Sequence, residues 1–396
     1  MRGMDDPRSD PETNSPPEPG AARAFEIAIL GAGIAGASLG WTLLARAPGL
    51  GVLLLEAEDQ PGFHTTGRSA AFYAETYGGP GVQPLTSASK AFFLNPPAGF
   101  SETALLSPRG ALHVAGHDGA GALAALERAF EAGGVSHQPL GPDGIRRKLP
   151  FLREEWAARA IWEPGCADID VAALHQAYLR GFRRAGGTLL LSAPAGRLAR
   201  AGRGWTIETP AGSFTAATVV NAAGAWADQV AARAGLPPAG IRPLRRTIVV
   251  IEVRPEAPAD MPVVMDAGGS LYFKPDGGRL WVSPHDETPD VPRDVQPEDM
   301  DIAIALDRFE RMCDWPIRRI VARWAGLRNF APDRLPVIGP DPLEPSFFWC
   351  AGQGGWGIQT APAAAAMAAA LLIGERPALD PAPYLPARVR CARAAA

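Results

Sequence analysis

The stretch FEIAILGAGIAGASLGWTLLARA, residues 25–47, followed by GVLLLE, residues 51–56, decides the fold. FEIAIL is a short apolar run and predicts a buried strand. ASLGWTLLARA has apolar residues at helical spacing. GVLLLE predicts a second buried strand. Strand, Gly-rich turn, helix and strand make a βαβ unit. Within GAGIAG, Gly31 permits the tight turn, Gly33 lets the backbone approach a pyrophosphate, and Gly36 allows close helix–strand packing. The helix start then offers free N–H groups and a positive dipole end to phosphates. Glu56 ends the second strand about 20 residues past the glycines, where a carboxylate accepts from a ribose hydroxyl. The unit reads as a dinucleotide site, without separating NAD from FAD.

Working outward, the segment QPGFHTTGRSAAFYAETYGG, residues 60–79, is rich in Gly, Ser, Thr and aromatics. It reads as a functional loop leading into a helix. Residues 168–185 predict a helix capped by Asp. Strands are expected at 188–192, 204–209, 213–224, 247–253, 270–275, 279–284 and 347–352, the last followed by QGGWGIQT (353–360) and an Ala-rich helix. βαβ pieces at both ends with antiparallel strands between predict an α/β protein with a nucleotide-binding domain built from separated segments and an inserted second domain.

The chain has 396 residues, 47% hydrophobic and 20% charged, with a formal net charge of −4. That composition suits a globular protein and does not favour nucleic acid or an anionic membrane surface. The four cysteines, Cys166, Cys313, Cys350 and Cys391, form no C-x-x-C pair, so free thiols in a reducing cytoplasm are expected. No metal site is expected: His113, His117, His137, His175 and His285 lack ligand spacing. His64 reads as a structural, hydrogen-bonding histidine. Residues 1–23 are polar and Pro-rich and predict a disordered tail rather than a secretory signal. The apolar run 361–373 is shorter than a bilayer span requires. The expected location is cytoplasmic, with peripheral membrane contact open.

Further segments carry a resemblance. TVVNAAGAWAD (218–228), LPVIGP (335–340) and FFWCAGQGGWGIQTAP (347–362) resemble, in this order, the flavin-contacting segments of the D-amino acid oxidase superfamily of FAD oxidoreductases. HTTGRSAAFY (64–73), YFKPD (272–276) and WAGLRNF (324–330) are similar to the bacterial D-arginine and D-amino acid dehydrogenase branch. The resemblance implies a two-domain α/β flavoprotein. A discontinuous, Rossmann-like FAD-binding domain would take 24–78, 152–232 and 322–376. A substrate domain with a mixed or antiparallel sheet would take 79–151 and 233–321, and 377–396 would be a C-terminal tail.

It also implies site residues. Gly31, Gly33, Ala35, Gly36, Glu56, Ala57 and Ala195 fall at the pyrophosphate and adenosine end of FAD. Thr65, Thr66, Gly67, Arg68, Ser69, Ala70, Ala71 and Phe72 line the flavin. Gly354, Gly355, Trp356, Gly357, Ile358 and Gln359 form the loop under its pyrimidine ring, where N–H groups at a helix start stabilise negative charge. Tyr77, Ala111, Arg246, Tyr272, Arg328 and Gly355 match substrate contacts. Two arginines and two tyrosines suit an α-carboxylate. Ser69, Tyr77, Arg246, Tyr272 and Arg328 are the candidate catalytic residues, Ser69 through hydrogen bonding near flavin N5.

The expected activity is oxidation of a D-amino acid by hydride transfer from Cα to FAD. The resulting imino acid hydrolyses to a 2-oxo acid and ammonia, with oxygen or a quinone-type acceptor reoxidising the flavin. Ala111 stands where the D-arginine-preferring branch has a Glu, and Phe72 where it has a His. Both changes favour neutral or apolar side chains such as D-Leu, D-Met or D-Phe. Glu75 is the remaining candidate to hold a cation. Alternatives are an N-methyl or cyclic amino acid substrate, D-arginine dehydrogenase proper, or a flavin-binding subunit without turnover. The segment 326–339 has no Cys to tether the flavin, so FAD is expected to be non-covalent.

Overall fold

Alternation within single strands divides the core of the first layer. Ile27, Ile29, Val52 and Leu54 point into one cluster, and Ala28, Leu30, Leu53 and Leu55 into another. This is the period of two expected of strands buried on both faces. The computed structural model describes residues 23–389. The N-terminal tail and Cys391 lie outside the described residues.

Strand Arg23–Leu30 pairs in parallel with Val52–Leu55 on one side and Gly212–Asn221 on the other. Thr188–Leu190 extends the parallel set, and Phe347–Ala351 runs parallel to Gly212–Asn221. Leu198–Ala201 and Gly204–Thr209 form an antiparallel hairpin on the same sheet. Helix Ile34–Arg46 packs beneath it with helices Val171–Arg184 and Gly357–Leu372. Asp170 caps the Val171–Arg184 helix by accepting from Ala173 N at 2.8 Å. Gly40 meets Phe182 and Gly181 meets Trp41 at distances that leave no room for a Cβ at Gly181, so glycine sets this helix spacing.

The second sheet is ten-stranded and centred on the long antiparallel pair Arg242–Val253 and Ile317–Phe330. Tyr272–Asp276, Arg279–Ser283 and Val263–Asp266 continue it, and Ala111–Val114 and Ala160–Glu163 follow. A short third sheet joins Phe72–Tyr73, Ala167–Ile169 and Leu106–Pro108.

Four placements differ from the expected domain limits. Strand Ala160–Glu163 and the whole of Ile317–Phe330 belong to the second sheet. Helix Gln83–Leu94 packs on Gly357–Leu372, placing it with the first layer. Residues 377–389 are not a free tail: Tyr384 is buried and donates to the Gly81 carbonyl at 2.9 Å, and Leu385 covers Gly339. The segment 75–78 is a turn within the 60–79 loop, and helix Gln83–Leu94 follows that loop. Cys166, Cys313 and Cys350 are free and buried. Among the described residues no helix is long and apolar enough to cross a membrane, and no acidic, His or Cys cluster could hold a metal.

A Cβ at Gly36 would lie 1.9 Å from the Gly31 carbonyl oxygen, so Gly36→Ala forces the first helix off its strand. The expected cost is about 3 kcal/mol, with loss of bound cofactor. At Gly121, in helix Ala120–Ala132, a Cβ meets nothing within 4 Å. Gly121→Ala should stabilise by about 0.5 kcal/mol. Urea unfolding of both variants against the parent checks the pair.

Candidate active site

The parallel strands Arg23–Leu30, Val52–Leu55 and Gly212–Asn221 end at one cleft, as open α/β sheets place their ligands. The turn after the first strand is held by close backbone approach. Gly31 sits at φ +104°, and a Cβ there would lie 2.5 Å from the Ala222 carbonyl. Glu56 is buried and accepts from Ala32 N at 2.8 Å and Glu58 N at 3.1 Å. Thr66 Oγ1 accepts from Ile34 N at 3.0 Å, tying the 60–79 loop to the helix start. His175 bonds the Ala32 carbonyl from the other side at 2.8 Å.

The cleft has a volume of about 340 Å³. Of the expected cofactor residues, Gly31, Gly33, Ala35, Glu56, Ala57, Thr65, Thr66, Ser69, Ala195, Gly354, Gly355, Gly357 and Ile358 line it. Gly36 sits behind the turn. Gly67 and Arg68 do not line it, which corrects the expectation. Gly67 packs against the Gly62 carbonyl, and Arg68 turns away to the carbonyls of Val295 and Ala325 and to Asp294. Ala70, Ala71, Phe72, Trp356 and Gln359 line a second, smaller pocket instead. His64 lines the cleft, bonded to Glu58 at 2.8 Å and packed on Trp226 at 4.6 Å between ring centroids.

The smaller pocket, about 20 Å³, shares Ser69, Arg328, Gly355 and Ile358 with the cleft. Tyr77, Arg246 and Tyr272 also line it. Arg246 is 2% exposed and Arg328 5%. Arg246 Nε donates to the Asp286 carbonyl at 2.7 Å and Nη2 to Glu287 at 3.1 Å, while among the described residues Nη1 has no partner. Arg328 Nη1 also has none among the described residues. Burial pulls the Arg328 guanidinium below its ordinary value. Burial pulls on Arg246 too, but the facing Tyr77 and Tyr272 and nearby Asp286 hold it above. The adjacent Arg245 shows the contrast. It is equally buried but bonded to Asp301 at 3.0 Å, Glu298 at 2.6 Å and Asp290 at 3.2 Å. Arg245 is a structural cation, whereas Arg328 lacks its counter-charge.

The rest of the wall is aromatic. Phe72 lies 5.3 Å from Tyr77 and 5.7 Å from Tyr272, centroid to centroid. Gln359 spends its amide on the 74–77 turn, accepting from Ala74 N and donating to the Tyr77 carbonyl and Thr86. Ala111 does not line the pocket. It is fully buried in the cluster that holds Phe72 and Tyr272, a correction to its placement as a substrate contact. Glu75 is spent on Lys90 and Ser87, so it supplies no carboxylate to the pocket. Glu163, opposite Ala111 in the sheet, is bonded to His113.

Two residues that sequence reasoning did not single out belong to the site. Asn329 lines the cleft with its Oδ1 buried and unpaired. His285 stands 3.3 Å from the Tyr77 hydroxyl. Asn329 follows Arg328 and was legible as its neighbour. His285 reaches the site only through the folding back of its loop and left no local signal.

Residues 26–371 match the family model described as DAO, FAD dependent oxidoreductase. Human mitochondrial dimethylglycine dehydrogenase is 30% identical over 241 residues, covering 55% of this chain and 27% of that protein. The glycine oxidase of Geobacillus kaustophilus is 28% identical over 236 residues, covering 59% of this chain and 61% of that one. The chain thus spans about a quarter of the dimethylglycine dehydrogenase length. The crystal structure of G. kaustophilus glycine oxidase superposes with a TM-score of 0.80 at 24% identity, covering 92% of this chain and 98% of that one. L-Proline dehydrogenase from P. horikoshii superposes at 0.82 with 21% identity, covering 94% and 99%. These likenesses show the fold.

Removing an uncompensated buried cation should not weaken the ligand-free fold. Arg328→Met is expected to raise ligand-free stability by about 1–2 kcal/mol and to abolish the thermal stabilisation that acetate gives the parent protein. Melting curves with and without acetate check both halves.

Proposed function

Because the chain belongs to the DAO family of FAD-dependent oxidoreductases, we propose that it oxidises the C–N bond of a small α-amino acid. The favoured substrates are glycine, an N-methylglycine or a small cyclic imino acid. The observation that carries this reading is the pair of buried arginines, Arg246 and Arg328, each with an unpaired Nη1 on one small pocket. Arg246 is paired to Glu287, but Arg328 has no acid partner among the described residues; a buried guanidinium left so costs several kcal/mol, and a substrate carboxylate supplies the missing charge.

FAD is the cofactor, and the cleft fits it. The cleft is lined by the Gly-rich turn at Gly31 and Gly33, by the helix start at Gly357 and by Asn329, whose buried Oδ1 has no partner among the described residues. Gly31, Gly33 and Ala35 would take the pyrophosphate, with Glu56, Ala57 and Ala195 at the adenosine end. Thr65, Thr66, Ser69 and Gly354–Ile358 would face the flavin. None of Cys166, Cys313 and Cys350 lines the cleft, which supports a non-covalent cofactor. When bound, FAD supplies the acceptor for two electrons and a proton from the substrate.

The chain's own residues bind and orient. Arg246 and Arg328 hold the carboxylate, and Tyr77, Tyr272 and Phe72 enclose the carbon and nitrogen that react. Two guanidiniums beside the amine also disfavour its protonated form, and the neutral amine is the reactive one. Oxidation leaves an imine, which water splits into a carbonyl compound and an amine. The pocket is small and opens onto the cleft through Ser69, Arg328, Gly355 and Ile358, which supports small substrates over bulky side chains. The buried apolar wall at Phe72 supports a second reading, a small neutral D-amino acid. No carboxylate lines the pocket, which argues against D-arginine.

The test is a substrate panel on one preparation with an artificial electron acceptor. Glycine, sarcosine and proline are expected to exceed D-Leu, D-Phe and D-Arg in kcat/KM. A tenfold preference for D-Arg contradicts the reading. Arg246→Met should lower kcat/KM on the best substrate by about 2–4 kcal/mol with FAD content retained. Acid precipitation should release the flavin to the supernatant, and a yellow pellet would refute non-covalent binding.

A further inference from the structure

His285 packs behind the pocket wall, against Tyr77 and Tyr272, by contacts that its strand alone does not require. It sits just after strand Arg279–Ser283 at φ +54°, a conformation uncommon for residues other than Gly, though His is with Asn and Asp among those that adopt it most. Such conformations persist only where the surroundings impose them. Here the surroundings are specific. Asp266 accepts from Gly268 N and Ser270 N and so sets the turn at Gly269. Arg308 donates to the carbonyls of both Ser270 and Pro284, drawing that turn against the histidine loop. The Gly269 carbonyl then lies 2.7 Å from His285 Nδ1.

A carbonyl only accepts, so Nδ1 carries the proton. The neutral ring therefore presents a lone pair at Nε2. Burial, with Arg246 and then Arg328 nearby, holds the imidazole down at about 4, so the ring stays neutral near pH 7. Nε2 is 3.3 Å from the Tyr77 hydroxyl, and the hydroxyl must donate to it. The direction of one hydrogen bond thereby reverses the role expected of Tyr77. With its proton committed to His285, its oxygen faces the pocket as an acceptor. A Cβ built on Gly355, a residue shared by cleft and pocket, would lie 3.5 Å from that oxygen.

We propose that His285 is a positioning residue that fixes Tyr77 as the acceptor for the substrate's N–H, while Arg246 and Arg328 hold its carboxylate. The inference rests on the amino-acid reading above and narrows it. The reactive neutral form of glycine carries two N–H bonds and that of sarcosine one, whereas neutral N,N-dimethylglycine carries none. The site therefore favours primary and secondary amines.

The test uses the FAD-loaded protein and three variants: His285→Asn, Tyr77→Phe and the double replacement. Asn tolerates the positive φ but is too short to bring an acceptor to Tyr77. Flavin content and melting temperature serve as folding controls. His285→Asn is expected to lower kcat/KM for sarcosine roughly tenfold and to shrink the preference for sarcosine over N,N-dimethylglycine. The dissociation constant of acetate, which has no N–H, should stay within about twofold of the parent. On the Tyr77→Phe background, His285→Asn should add nothing. Unchanged sarcosine kinetics, an equal loss of acetate affinity, or additive effects of the two replacements overturn the proposal. Failure of the parent protein to bind acetate overturns the carboxylate clamp itself, and this inference falls with it.

Discussion

The site depends on a guanidinium buried without a counter-charge. Arg328 is held on the long strand Ile317–Phe330, where it pairs in register with Leu244, and Arg246 pairs with Gly326. Gly326 has no side chain to fill the space beside Arg328: a Cβ there would come within 3.4 Å of Nη1. Two rigid, paired strands thus hold two cations on one pocket: Arg328 without a counter-charge, and Arg246 paired to Glu287 through Nη2 but with Nη1 left unpartnered among the described residues. That arrangement is costly in the ligand-free fold. The cost is recovered when an anion enters, which makes the pocket selective for ligands bearing a carboxylate.

The cleft is held by the opposite strategy. The groups that shape its Gly-rich end are already partnered: Glu56 bonds the Gly-rich turn, Thr66 bonds the helix start, and Gly31 contacts the backbone at Ala222. These contacts set the shape of the cleft before any ligand arrives. The two regions meet at Ser69, Arg328, Gly355 and Ile358. Gln359 pins the Ala74–Tyr77 turn to the helix that begins at Gly357. Tyr77 is therefore located by the same helix whose start faces the cleft.

Much of this was legible in the sequence, for identifiable reasons. The βαβ unit declares itself because period, glycine spacing and terminal acid are all local. The pocket residues Tyr77, Arg246, Tyr272 and Arg328 followed from resemblance; base composition alone does not single out two arginines among many. What sequence missed is set by long-range contacts. Arg68 lies in the flavin-loop motif yet turns to Asp294, more than two hundred residues away. Ala111 matches a pocket position but is covered by Phe72 and Tyr272. Glu75 was free to be a ligand until Lys90 and Ser87 took it. His285 has no motif at all, because its role comes from a turn at Gly269 brought alongside by Arg308. The strand Ile317–Phe330 runs through the expected domain limit because exposure along its first half hides its pairing from any hydrophobic pattern.

The most direct test of the central claim compares one substrate with its uncharged twin. The FAD-loaded protein is mixed anaerobically with sarcosine or with sarcosinamide, and bleaching of the flavin band is followed in time. If the Arg328 and Arg246 guanidiniums select the carboxylate, sarcosine reduces the flavin rapidly and sarcosinamide at least about a hundredfold more slowly at equal concentration. Equal rates for the two compounds would contradict the account.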